Sequence, residues 1–524
     1  MKTTNLLRLA ATSLVSLAAT LRYDLPFVQP RNRIECPSAE TILKELKPLL
    51  SAQAEILIPS SPGWNKSSLR ASSPRIQPQF QAVVEVASTK DNTPGRTDRD
   101  WLMRQTQIRY ANRIGAPFLA VSGTHGWPLS LNTLKGGIQI SLRKMNDSKV
   151  HPDGKTATVQ GGTLQYEATK SLYSQGKKMA VTGLCECVSV AGPLLGGGHS
   201  MLQENHGFAA DNLISAELVL ANGSVVLVSS SENTDLFWAI RGAGHNFGIV
   251  TSMELKVYDA QDNWTMLTFV FTHDKLESYF STWNQLESEY ENVVGLPVVN
   301  GLFARNPDVD TANPVVILQV FFPGTNPIAG VYKQRFLALG PVVNVTTPDI
   351  EYVDLYTVGG LGMSSPVCRE DNNLAGFPNS HAKWDPDAMR AGFNIFSELT
   401  ADPTFNTSAW ILESYGRHGV TAVAPSENAV APEERQFHLL NSPLLWWVGN
   451  DEGDRKKAVE YGRRMQKAVG PKDRALFHAY VNYAVGTEAL PEIYGRDSSR
   501  LARLERLKKT YDPLNRFGFY NPIV

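Results

Sequence analysis

The stretch "GLCECVSVAGPLLGGGHSMLQENHGFAADNL", residues 183–213, carries Gly183 and Gly192 and then three consecutive glycines, Gly196, Gly197 and Gly198. Such a run removes the Cβ penalty on positive φ and lets backbone N–H groups come close to a ligand. A pyrophosphate has that need, and so does a bulged, tightly packed turn. Two phosphate motifs are excluded by spacing. No Gly-Lys-Ser/Thr follows, as a P-loop requires, and the glycines do not fall as G-x-G-x-x-G between a strand and a helix. A Rossmann-type nicotinamide site is therefore disfavoured.

Two further turns of this kind lie on either side. "AVSGTHGWPLS" (120–130) follows the apolar run 117–121, so a short strand enters a turn that carries His125 at its tip. Taken alone, that imidazole either bonds its own backbone or serves a ligand. "DLFWAIRGAGHNFGIVTSMELKV" (235–257) sets Gly242, Gly244 and Gly248 before a β-branched run. Three glycine-loosened turns around one sheet can line a groove for a dinucleotide-sized cofactor.

From 117 to 258 short β-type runs recur, with Asn222-Gly223 between two alternating runs as a hairpin signal. Helix-like pieces, "LQYEATKSLYSQG" and "TDLFWAIRG", lie between them. This reads as an α+β region built around strands. Upstream, the Ser/Pro-rich residues 59–80 read as an exposed connector, followed by a strand at 82–86 and a helix ending near Arg113. From about 259 to 475, apolar strands such as "TMLTFVFT" and "PVVILQVFF" alternate with amphipathic helices near 274–293 and 327–338, the pattern of an antiparallel sheet backed by helices. The tail adds a β-like run at 476–485 and a charged helix stopped before Pro513. The expected division is 1–20, 21–77, 78–258, 259–475 and 476–524.

The formal net charge of −1, with no basic run interleaved by aromatics, argues against nucleic acid as a partner. Lys2 and Arg8 precede "LAATSLVSLAAT" (9–20), and no acidic residue comes before Asp24. Residues 1–20 thus resemble a secretory signal peptide, too short and too polar for a membrane anchor. A mitochondrial presequence shares these features and stays open as the alternative. Sequons begin at Asn65, Asn146, Asn222, Asn263, Asn344 and Asn406, in keeping with a secreted glycoprotein. The cysteines, Cys36, Cys185, Cys187 and Cys368, are too few for a disulfide scaffold, and Cys185-x-Cys187 without a second Cys/His pair does not make a zinc site. No metal is expected.

"SGTHG", "TGLCECVSVAGPLLGGGHS", "GFAADNLISAELVLANG", "DLFWAIRGAGHNFGIVT" and "AYVNY…RLARLERLKKTYDPLNRF" stand in the order and spacing of berberine bridge enzyme-like oxidoreductases. These are flavoproteins of the vanillyl-alcohol oxidase/p-cresol methylhydroxylase superfamily. The resemblance covers roughly 78–258 and 476–524. It implies a two-part PCMH-type FAD-binding domain (78–258), a substrate domain with a helix-backed antiparallel sheet (259–475), and a C-terminal segment returning to the first.

For the cofactor, the resemblance implies FAD bound covalently through His125 to the flavin 8α position. The family more often has a second Gly before this histidine and a Ser after it. Cys185 stands where some members bond flavin C6, but Glu186 replaces the usual proline and Cys187 competes. A neighbouring carboxylate also raises a thiol pKa, so a free or disulfide-bonded Cys185 stays open. Ser122, Gly123, Thr124, Gly126, Gly192, Gly196, Gly197 and Gly198 would cradle the pyrophosphate beside Gly183, with Ile249 and Val250 on the flavin and adenine edge. Val188 stands where the family controls oxygen access, and its small side chain implies dioxygen as acceptor and peroxide as product.

For catalysis, the resemblance implies Tyr480, Asn482 and Tyr483 of "YVNY". On a strand only one tyrosine would face the flavin, and Tyr483 is favoured. A tyrosine base needs a pKa depressed by a cation or polarised network, and both tyrosines could instead be core aromatics. His199, His206 and His245 read as satisfied polar residues and Arg241 as structural. The implied activity is oxidation of a small organic molecule at an alcohol, C–N or C–H bond, as in secondary-metabolite tailoring, by a monomer or weak homodimer. The alternatives are a carbohydrate oxidase using Trp384, Trp410, Trp446 or Trp447 to stack sugar, and a flavoprotein cyclase without net redox. A serine hydrolase is disfavoured, because no G-x-S-x-G elbow is present.

Overall fold

The β-type runs read between 117 and 258 form strands of two sheets in the computed structural model, which describes residues 37–69, 73–87, 107–370 and 372–524. The proposed leader and the segment 88–106 lie outside these residues. The first sheet orders Glu55–Leu57, Phe80–Ala87, Gly137–Lys144 and Phe118–Val121, and the last three strands run parallel. Both faces of Gly137–Lys144 are buried over its first six residues, polar Gln139 and Ser141 included, as befits a strand paired on both sides. The second sheet centres on Ile249–Asp259, which pairs antiparallel with Thr156–Gln160, Leu213–Val219 and Lys178–Ala180. The Asn222-Gly223 turn joins Leu213–Val219 to Val225–Ser229, with Gly223 at φ +80° and the Asn222 carboxamide accepting from Ser224 N at 2.8 Å.

The third sheet is antiparallel, eight-stranded, and drawn entirely from 264–447. Helices Leu276–Glu289, Pro327–Leu337, Pro386–Thr400 and Glu452–Val469 supply apolar side chains to the core on one of its faces. Strand Ala409–Ser414 shows the two-residue period: Trp410 and Leu412 enter that core with Phe303 and Phe396, while Ile411 and Glu413 alternate onto the other face. Among the described residues no helix is long and apolar enough to cross a membrane.

Two local expectations change. The connector at 59–80 is not simply exposed. It contains the short helix Trp64–Ser68, Ile76 is buried, and fully buried Ser73 accepts a hydrogen bond from Leu374 N at 3.0 Å. The run 476–485 is not a strand. Tyr483 N and Ala484 N both donate to Tyr480 O, at 2.8 and 2.9 Å, closing a helical turn. Two later carbonyls take partners outside any strand: Trp127 Nε1 donates to Tyr483 O and Leu129 N to Val485 O. The helix Ser498–Tyr511 forms as read, with Asp497 accepting from Ser499 N and Arg500 N at its N-terminus.

Candidate functional site

A cavity of about 330 Å³ opens where the glycine turns meet. His125, Ser122, Gly123, Thr124 and Gly126 line it from the first turn, and Gly183, Cys185, Val188 and Gly192 from the second. Gly248, Ile249 and Val250 enter from the third. The turns touch closely: a Cβ on Gly123 would sit 2.8 Å from Ser189 N, and one on Gly126 would collide with the Tyr520 ring. Thr124 adopts φ +56°, a left-handed conformation that a non-glycine residue takes only where its surroundings hold it. Tyr480, Asn482 and Tyr483 line the same cavity. The helical turn explains how both tyrosines do so, with rings 5.3 Å apart, where a strand would have separated them.

The consecutive glycines are placed differently from the other turn residues. Gly196, Gly197 and Gly198 do not line the cavity, and their N–H groups donate to Pro193 O, Leu194 O and the Tyr480 hydroxyl. A side chain at Gly196 would collide with the Asn482 carboxamide, and one at Gly198 would meet the Ala209 methyl at 2.6 Å. The triplet therefore holds the tyrosine turn. Gly192 alone of that group remains at the cavity.

The cysteines separate as well. Cys187 is bonded to Cys368 and Cys185 is free. Glu186 does not bear on the thiol as supposed: its carboxylate accepts from Thr357 Oγ1 and Met363 N, both at 3.1 Å. Burial first, then the charge of Glu413, pushes the Cys185 thiol up to about 12.

Glu413 is the buried ionisable residue of the cavity that the sequence reading missed. It lines the cavity at 7% exposure and accepts from the Tyr415 hydroxyl at 3.0 Å and the Tyr483 hydroxyl at 3.0 and 3.2 Å. The signal was present in "AWILES", a lone carboxylate in an apolar strand. Burial raises its pKa above the usual carboxylate range, opposed by those hydrogen bonds. Burial and Glu413 hold Tyr483 well above the usual tyrosine value. The condition for a Tyr483 base is thus unmet, since its neighbour is an anion and its proton is given to Glu413. Tyr480 is likewise raised, by burial and then by Glu434, and its hydroxyl accepts from Gly198 N, His199 N and Asn482 Nδ2.

The histidines separate. His199 lies at the cavity wall, stacked on Tyr415 and bridged to His478 through the buried Glu434 carboxylate at 2.8 and 2.7 Å. His245 also lines the cavity, stacked on Tyr520 at 4.2 Å, and burial pushes it down to about 4. It is not fully satisfied, because its Nδ1 is buried without a partner. His206 stacks on Tyr258 away from the cavity. Arg241 is structural, bonding Phe237 O and Glu427 O. Trp384, Trp410 and Trp447 fill the helix-backed core and Trp446 a smaller apolar cluster, so none of the four forms a sugar-stacking groove.

The residues present fit a flavin dinucleotide. Ser122 Oγ, His245 Nδ1 and Asn482 Oδ1 are buried at the cavity with no hydrogen-bond partner, which polar atoms of a bound dinucleotide would supply. Much of the remaining lining is apolar, as an isoalloxazine ring requires.

Comparison with known proteins agrees. The family model for an FAD binding domain matches residues 104–229. The FAD-linked oxidoreductase chry5 of Gibberella zeae is 34% identical over 492 residues, covering 93% of this chain and 96% of that protein. Chitooligosaccharide oxidase superposes with TM-score 0.76 at 20% identity over 93% of this chain and 99% of its own. Glucooligosaccharide oxidase from Acremonium strictum does so with TM-score 0.74 at 20% identity, over 93% and 100%. The chain belongs to the berberine bridge enzyme-like FAD-linked oxidoreductases, with their mixed helix-and-sheet fold.

Proposed function

We propose that the enzyme is an oxidase of a small organic molecule, with Glu413 as the group that takes the substrate proton. The observation that carries this reading is the buried Glu413–Tyr483 pair on the wall of the cavity that the FAD-binding turns line. Bound FAD would supply the acceptor for a hydride and its two electrons. The chain's part is to hold a hydroxyl or amine proton against the carboxylate. Tyr483 donates to Glu413 and fixes its orientation, while Tyr480 and Asn482 are locked by the glycine turn. Valine at position 188 favours dioxygen as the final acceptor. The tryptophans' core positions give no support to sugar stacking.

His125 would carry the flavin 8α bond. The glucooligosaccharide oxidase is described as holding a 6-S-cysteinyl, 8α-N1-histidyl FAD, and this chain brings His125 and Cys185 to one cavity. Because the Cys185 thiol is pushed up to about 12, we infer a single, histidyl attachment. Acid precipitation tests this: yellow colour should stay with the wild-type pellet and leave it in His125→Ala. A Glu413→Gln variant should keep its flavin, yet lose substrate-dependent peroxide release and anaerobic bleaching. Peroxide at wild-type rate from that variant would reject the assignment, and turnover without either signal would indicate the cyclase.

Secretion is part of the same reading. Five of the six sequon asparagines, Asn65, Asn222, Asn263, Asn344 and Asn406, are exposed, whereas half-buried Asn146 donates to Glu167. A glycosidase-sensitive mass shift on protein from its native host tests it, and an unshifted band that has lost its leader favours the mitochondrial alternative.

A further inference from the structure

Residues 185–188 serve two sides at once. Cys185 and Val188 line the cavity, while Glu186 and Cys187 hold the segment 359–368 against it. That segment is fixed at three points, the Cys187–Cys368 disulfide, Glu186 N on Leu361 O at 3.0 Å and the Glu186 carboxylate on Met363 N, and the same carboxylate also accepts from Thr357 just upstream. It returns Leu361 and Val367 to the cavity wall. Trp127, Ile411 and Leu444 complete an apolar surface there, and Glu413 with Tyr483 is the polar pair beside it.

We propose that the segment 359–368 is a specificity-determining strap, and that the substrate it admits is a compact, mostly apolar alcohol. This rests on the oxidase reading given above. The strap closes the cavity with Leu361 and Val367, and a bound dinucleotide would share that space with the substrate. One hydroxyl can meet Glu413. Each further hydroxyl stranded on Leu361, Val367 or Ile411 would forfeit its hydrogen bonds to water, at a cost of roughly tenfold in affinity. An oligosaccharide is therefore refused, although oligosaccharide oxidases share the fold. No Lys or Arg lines the cavity and Glu413 does, so a carboxylate-bearing molecule would meet a like charge there with no cation to offset it.

The test uses the flavin-loaded enzyme and two readouts, perturbation of the flavin spectrum on titration and anaerobic bleaching. Cinnamyl alcohol and a set of aryl and alkyl alcohols should perturb the spectrum, and cellobiose should not. Leu361→Ala and Val367→Ala should weaken alcohol binding about tenfold, with flavin content and melting temperature retained. Should those variants fold poorly, reducing the wild-type disulfide with a phosphine, which becomes the phosphine oxide as two thiols form, should weaken binding by the same route. Tighter binding of cellobiose than of any alcohol, silence of the whole alcohol set, or unchanged binding after both wall substitutions and reduction would overturn the strap. Binding that follows the strap without any bleaching would instead reject the oxidase reading and leave the strap standing.

Discussion

Replacing Glu434 by Gln should destabilise the protein by about 3 kcal/mol near neutral pH, and that deficit should disappear in acid. Glu434 is 4% exposed and accepts from His199 Nε2 and His478 Nε2 at 2.8 and 2.7 Å. Burial alone would raise its pKa, yet the two imidazoles outweigh burial and bring it from 4.5 to about 2. At 1.36 kcal/mol for each tenfold change in proton affinity, that depression corresponds to about 3 kcal/mol of stability. Removing one member of a buried pair costs a similar ~3–5 kcal/mol. The sign follows from the direction of the shift. A depressed carboxylate stabilises the fold fully above 4.5, and the contribution is lost as pH falls through about 2. Urea unfolding of wild type and Glu434→Gln, at neutral pH and at steps below 4.5, measures the gap directly. Subtracting one protein from the other cancels every other carboxylate that titrates in both. A gap under about 1 kcal/mol at neutral pH, or one that does not shrink in acid, would refute the reasoning.

Other consequences can be measured separately. Glu413→Gln should lower kcat by roughly 10²–10⁴-fold, the usual contribution of a positioned base, with flavin content intact. Because Glu413 is raised, the acid limb of kcat/KM should lie above 4.5, rising with pH as the carboxylate ionises. The Cys185 thiol of flavin-free protein should resist iodoacetamide at mildly alkaline pH, since burial and then Glu413 push it up to about 12; peptide mass mapping would detect labelling. Gly242→Ala should cost about 3 kcal/mol or more, because φ is +131° there and an added Cβ would collide with the backbone of Ala429 and Val430. A shift in melting temperature reads that cost.

The elements that could be read from the sequence were those whose partners are implied by their own period. Ile249–Asp259 alternates buried and less buried residues from Met253 to Tyr258, and the hairpin at Asn222-Gly223 needs positive φ at Gly223. Turns lining the cavity could be located because glycine marks close approach, but not what approaches. At Gly126 it is the Tyr520 ring, almost 400 residues away, and at Gly196 it is Asn482. The tail was misread for a related reason. "FHAYVNYAV" alternates like a strand, but its tie to a sheet is Ser380 N of the strand Asn379–His381 on His478 O, short of a ladder, while Trp127 and Leu129 take up later carbonyls. Glu413 stood out in the sequence as a lone carboxylate in an apolar strand and no further, because its proposed role comes from burial and from Tyr483, neither of which local composition specifies.

The glycine triplet then acquires a role different from phosphate binding. The Tyr480 oxygen receives two backbone N–H groups and one amide N–H, a donor set that a phenolic oxygen meets only where the backbone has been bent to it. Gly197 at φ +115° and Gly198 at φ +88° make that bend, and no side chain fits between Gly198 and Ala209. The same bend sets His199 against Tyr480, at 4.7 Å between rings, and so couples the buried Glu434 pair to the cavity wall. A Gly198→Ala substitution should therefore act first on Tyr480. It should alter substrate-dependent turnover at near-normal flavin content, whereas a phosphate-cradle role would lose flavin first. The order in which those two signals fail decides between the roles.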